Sequence, residues 1–162
     1  EDMWRQHPDN GQSDAWRDLI DELGIAVAAA ADAGLRIGIE PEPGNVIWSA
    51  PLARRALDEI GGHSLGVVLD AANLLSPQTL SRQHEIFAEA ARLLGKNLIL
   101  AHAKDISPDG SVVAPGEGAV DLAAFLRAIK GTGYDGALIA HSFREDQARD
   151  VHARLVALAI ST

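Results

Sequence analysis

The chain's 162 residues suffice for one domain, and 14 Lys and Arg against 23 Asp and Glu leave a formal net charge of −9. An acidic surface repels phosphate backbones and anionic headgroups, which counts against nucleic-acid binding by bulk charge and against a polybasic membrane grip. A hydrophobic fraction of 47% with 23% charged residues is that of a globular chain, and the lack of Cys excludes a disulfide framework, a thiolate zinc site and a cysteine nucleophile.

In chain order, Ser13 reads as an N-cap, followed at helical spacing by Trp16, Leu19, Ile20, Leu23 and Val27 until Gly34 supplies a stop. Leu35 to Glu40 (LRIGIE) reads as a strand, closed by Pro41 and Pro43. Ser49 and Pro51 open a second helix that ends near Gly61 and Gly62. The unit then recurs. Leu65 to Asp70 is a strand and Leu80 to Leu94 a helix, with Ile86, Ala90, Leu93 and Leu94 on one face. Asn97 to His102 is the third strand, Ser107 to Gly118 a loop, and Asp121 the cap of a helix carrying Leu122, Phe125, Leu126 and Ile129. Ala137 to His141 is the fourth strand and Glu145 to Ile160 the last helix. Four alternations of apolar strand and helix predict an α/β fold with a parallel sheet. No composition break divides residues 1–162, so they are expected to form one domain.

The longest uncharged apolar stretch, Gly24 to Ala31, falls far short of the roughly 20 residues of a membrane span. With no Cys and no charged-then-apolar leader, the expected compartment is the cytoplasm, and Glu1 in place of Met is expected of a piece of something longer.

Each strand ends in a residue able to bind a metal or carry a proton: Glu40, Asp70, His102 and His141. They stand roughly 30 to 40 residues apart, about one βα repeat, so one rim of the sheet is expected to gather them. One polar residue at a strand end merely marks the chain leaving the core. Four ligand types at four ends carry the expectation of a metal site, and two carboxylates with two imidazoles suit a borderline or hard divalent ion such as Zn²⁺, Mn²⁺, Co²⁺ or Mg²⁺. His63, His84 and His152 lie away from that rim and read as surface or structural residues. Gly116-Glu117-Gly118 reads as a turn rather than a phosphate cradle, and neither a GxSxG elbow nor a P-loop is present.

The segments GIEPEPGN (Gly38 to Asn45), LGVVLDAANL (Leu65 to Leu74), LILAHAKDI (Leu98 to Ile106) and GEGAVDLAAFLRAIKGTGYDGALI (Gly116 to Ile139) resemble the xylose isomerase-like TIM barrels. That family includes sugar-phosphate isomerases and epimerases and, more distantly, metal-dependent apurinic endonucleases. The resemblance implies a metal-dependent (β/α)₈ barrel of which this chain, with four strands and five helices, is the C-terminal half. It implies one divalent metal ion held by Glu40, Asp70, His102 and His141, the last standing where the family carries a second Glu. It further implies proton transfer next to a metal-bound carbonyl of a sugar or sugar phosphate, with Glu40 as base and His141 returning the proton or only binding.

Asn73 stands where some epimerases carry a substrate-touching His, Lys104 is a candidate for a phosphate or oxyanion, and Glu42, Asn45, Trp4 and His7 are weaker candidates for substrate contact. An ion pair of Lys104 with Asp105 or another rim carboxylate is the plainer expectation for that lysine. A half barrel leaves open edges, so the missing N-terminal half or a homo-oligomer partner is expected to cover them. The rivals are metal-dependent lyase or hydrolase chemistry on the same scaffold, a non-catalytic sugar-binding barrel that has lost a glutamate, and, for the fold, a flavodoxin-like sheet with a topological switch point.

Overall fold

The computed structural model describes residues 6–162. A four-stranded parallel sheet runs β1 (Ile37–Ile39), β2 (Leu65–Asp70), β3 (Leu98–Ala103) and β6 (Leu138–Ala140), and neighbours along the chain are neighbours in the sheet. That order has no reversal, which removes the flavodoxin-like alternative and leaves a stretch of barrel wall. Five helices join and flank the strands: α1 (Ser13–Asp32), α2 (Ala50–Ile60), α3 (Gln83–Leu94), α4 (Leu122–Lys130) and α5 (Ala148–Ser161). Between β3 and α4 lies a short antiparallel hairpin, β4 (Asp105–Ile106) with β5 (Val112–Val113).

The helices cover one face of the sheet. Leu65, Val67 and Leu69 alternate along β2 and are buried with Ala53, Ala56 and Leu57 of α2 and Phe87, Ala90 and Leu94 of α3. Phe87 meets Phe125 of α4 edge-on, ring centroids 5.4 Å apart. At the outer edge Trp16 of α1 donates to Glu59 Oε2 at 3.0 Å and lies under the Arg55 guanidinium, 4.0 Å from its ring centroid. The opposite face is thinly covered: Ile139 is 46% exposed, and any side chain at Gly38 would overlap Val68 and Ile99. A Cβ at Gly66 would likewise overlap Ile99, so two glycines and these two branched side chains share the inner wall where strands crowd.

Several element ends differ from expectation. Gln12, not Ser13, is the N-cap of α1 and uses no side-chain bond. Leu80–Arg82 and Glu145–Gln147 are 3₁₀ turns that precede α3 and α5, the tighter winding common at helix starts. Only Ile37–Ile39 of the first predicted strand pairs, and Leu35 is exposed beyond the end of α1. The predicted loop Ser107 to Gly118 contains the β5 half of a hairpin, turned at Asp109-Gly110, with Gly110 at φ 92° and Asp109 accepting from the Ser111 amide. Pro-Asp-Gly is a turn signal legible in the sequence.

Asp121 caps α4, its Oδ1 accepting from the Ala124 amide at 2.8 Å. His84 meets its other oxygen at 2.8 Å, so that histidine pairs with a helix cap rather than with the rim. Burial pushes the Asp121 carboxyl up, but the Ala124 amide, His84 and Arg127 together hold it below its usual value. A folded-state depression contributes stability above the unfolded pKa, lost as the pH falls through the folded one. Asp121→Ala is therefore expected to cost about 1 kcal/mol near neutral pH, with the gap to the parent closing in acid, as read by urea unfolding across pH.

Candidate metal centre

Glu40 is the first residue beyond β1, Asp70 the last of β2, His102 lies within β3, and His141 is the first beyond β6. Parallel strands deliver all four to one rim. Asp70 and His102 are paired directly in the ladder. Glu40 follows Ile39 and so is level with Val68, two residues short of Asp70, whereas His141 lies two beyond Ile139, the partner of His102. Such a climb from strand to strand lets side chains meet at one height above tilted, staggered barrel strands.

Asp70 organises the group. Its side chain is fully buried; Oδ1 accepts from the amides of Ala72 (2.8 Å) and Asn73 (3.0 Å), which turns the chain after β2 and leaves Oδ2 facing the imidazoles. His141 Nε2 lies 2.9 Å from Oδ2 and His102 Nδ1 3.9 Å from it. The two rings meet edge-on, centroids 4.9 Å apart. Donor atoms of Asp70, His102 and His141 all lie within 4.8 Å of one another. Glu40 reaches this trio through His102, its Oε1 being 3.1 Å from Nδ1. A carboxylate shared by two imidazoles, with a second carboxylate at their edge, is a donor set that fits a borderline divalent cation.

Lys104 departs from the plainer expectation. Its Nζ donates to Asn73 Oδ1 at 2.9 Å, and Asn73 Nδ2 donates to Glu40 Oε1 at 3.2 Å, so a line of bonds runs from a cation through an amide to the carboxylate. Asp105 is instead completely buried and accepts from four amides, those of Ile106, Gly116, Gly118 and Val120, at 2.8 to 3.0 Å. It ties down the loop that follows β3. The sequence signal was the Gly-Glu-Gly turn: a Cβ at Gly118 would overlap the Asp105 carboxylate and the Ile106 carbonyl.

The weaker candidates stand apart from these contacts. Asn45 donates to Glu42 Oε2 at 3.4 Å, within their own turn. The His7 ring accepts from the Asp9 amide at 3.2 Å, and this turn is tied to the loop after β1 by Asn10 Nδ2 bonding to Gly44 O at 2.8 Å. Trp4 lies outside the described residues. His63 and His152 are exposed. A cleft of about 560 Å³ opens beside Asn73, walled by Pro43, Trp48, Pro51, Leu75 and Ile86. Trp48, half-exposed on its rim, was not singled out by sequence; a large aromatic between a Pro-rich loop and a helix start is the signal it carried.

The sequence model of the xylose isomerase-like TIM barrel matches residues 3–158. The chain belongs to that family. No curated protein matches it. Among solved structures, a xylose isomerase domain protein from Alicyclobacillus acidocaldarius subsp. acidocaldarius is 21% identical, with TM-score 0.71, over 97% of this chain and 62% of that one. A D-allulose 3-epimerase from Methylomonas sp., solved in complex with D-allulose, is 20% identical (TM-score 0.70; 88% and 47% covered). The IOLI protein, solved with a zinc atom, is 21% identical (TM-score 0.61; 88% and 52% covered). This xylose isomerase-like chain spans between 47% and 62% of the length of these three solved chains. Its sheet and five helices are those of a partial barrel of the family. Among the described residues, no helix is long and apolar enough to cross a membrane.

Proposed function

We propose that the chain is the C-terminal half of a metal-dependent sugar or sugar-phosphate isomerase or epimerase, acting by proton transfer beside a carbonyl. The observation that carries this reading is the meeting of Glu40, Asp70, His102 and His141 at one rim of a barrel sheet. The family and its sugar epimerase neighbours, one of them solved with D-allulose, support the sugar isomerase or epimerase class, and another neighbour is solved with a zinc atom. The remaining wall of the barrel joins at the open edges of β1 and β6.

Asp70, His102, His141 and Glu40 would hold the ion. A divalent ion there supplies Lewis-acid polarisation of a substrate carbonyl, which acidifies the adjoining C–H. Glu40 is the base. Asn73 Nδ2 donates to its Oε1, which fixes the carboxylate and leaves Oε2 to take the proton. Lys104 holds the Asn73 amide in the orientation that donates to Glu40, and its ammonium offers a charge to a phosphate or a developing oxyanion. His141, about one-third exposed, stands in place of a second carboxylate, either returning the proton from an unligated ring or serving only as a ligand. Asn73, bonded to Glu40, is the one residue of this group that also lines the cleft walled by Trp48, a volume suited to a small sugar. Glu42, Asn45 and His7 are proposed to contact substrate from the surrounding loops, and Trp4 is proposed as a further substrate contact.

The test is solvent-deuterium exchange into a panel of ketoses and ketose phosphates by the complete protein, with metal added and with metal chelated. Metal-dependent exchange supports the reading. Sugar binding without exchange favours the rival non-catalytic barrel, for which the imidazole at position 141 is the specific argument. Glu40→Gln keeps a neutral acceptor in place and is expected to retain most of the metal while slowing exchange by roughly 10² to 10⁴-fold.

A further inference from the structure

Among the described residues, Ser142 is the single non-glycine residue with positive φ, at 64°. A left-handed backbone at a residue with a Cβ is unfavourable, and such outliers persist where surrounding structure holds them. Here the bend turns the Ser142 hydroxyl back onto the preceding ring: Oγ lies 2.8 Å from His141 Nδ1, while Nε2 of the same ring lies 2.9 Å from Asp70 Oδ2.

We infer that Ser142 is a positioning residue for His141, fixing the ring so that Nε2 is the nitrogen presented to the metal centre. The argument rests on the metal site proposed above and on the chemistry of the hydroxyl. A carboxylate only accepts, so with the neutral ring as it stands Nε2 carries the proton toward Asp70 and Nδ1 accepts from the Ser142 O–H. When Nε2 gives its lone pair to a cation, the proton resides on Nδ1 and needs an acceptor. A hydroxyl serves both states by rotating, which an amide N–H or a carbonyl does not. Histidines that ligate metals depend on such a partner for their second nitrogen. The pairing also accounts for the two residues together, because a glutamate in place of His141 would have no Nδ1 to be served.

Two variants separate positioning from plain stability. Ser142→Gly removes the hydroxyl and accepts the left-handed backbone without strain; it is expected to melt no lower than the parent and to bind Zn²⁺ or Mn²⁺ about tenfold more weakly by calorimetry, the low end of the usual range for such partners because water reaches the ring. Ser142→Thr keeps the hydroxyl on a residue that resists positive φ; it is expected to melt lower and to bind the ion as the parent does.

In the metal-free protein, with the rings neutral, the nitrogen-15 resonance of His141 Nδ1 is expected to move downfield in Ser142→Gly and to stay in place in Ser142→Thr. Equal metal affinity in parent and Ser142→Gly, or an unmoved Nδ1 resonance, overturns the proposal. If the parent itself binds no divalent ion, the metal reading fails, and the resonance still decides whether the hydroxyl holds the ring.

Discussion

Replacing Asp70 by Ala is expected to abolish retention of a divalent ion, weakening binding by about a hundredfold or more. The reason is that Asp70 does two tasks at once. Oδ2 is the oxygen that both imidazoles approach, and Oδ1 holds the Ala72 and Asn73 amides that shape the turn carrying the Asn73 side chain to Glu40. Removal deletes a ligand, leaves two buried amides without an acceptor and frees the His141 ring. Breaking a buried charged hydrogen-bond group costs about 1.5 to 3 kcal/mol for such bonds, so the variant is expected to be less stable yet folded. Metal content after dialysis, measured beside circular dichroism, reads the two effects separately. An Asp70→Ala protein that folds and binds metal as the parent does would mean that the ligands are assigned wrongly.

Asp105→Ala is expected to have the largest effect on stability, about 3 kcal/mol or more, without touching any proposed ligand. Four amide protons converge on this fully buried carboxylate, two on each oxygen. Without it, the amides of Gly116, Gly118 and Val120 are left to find water in a place that Gly118 has been kept small to close. Asp105→Asn repairs little, because its NH₂ would face two donors. The measurement is the urea midpoint together with amide hydrogen exchange. Exchange of Gly116, Gly118 and Val120 should accelerate well beyond the global change, since those protons lose their partner directly. Unchanged exchange at the three amides would mean that the loop is held by something else.

The sequence made the helices and most of the sheet legible for a simple reason: apolar spacing and Gly or Asp punctuation are local properties. Trp16, Leu19, Ile20, Leu23 and Val27 predict α1, and Asp121 predicts the cap on α4, because the forces concerned act within a turn or two. Helix starts were less well placed: Gln12 rather than Ser13 caps α1, and the α-helix of α3 begins at Gln83, three residues after Leu80. At the rim, the residue types were legible as strand ends, while the role of Asp105 was hidden beside the more conspicuous Lys104. An Asp next to a Lys reads as an ion pair, and only a folded loop brings amides from 11, 13 and 15 residues away onto one carboxylate.

By itself, then, the order of residues determined that strands and helices alternate, that the strands are parallel and that ligand-type side chains close each one. Periodicity and connection length decide those matters before any long-range contact forms. The tertiary structure alone decided the strand order without a reversal, the register that lifts His141 two residues past the partner of His102, and the left-handed turn that sets Ser142 against its ring. Strand pairing depends on packing between segments far apart along the chain, and distances of 2.9 and 3.1 Å between such groups follow from that packing rather than from spacing.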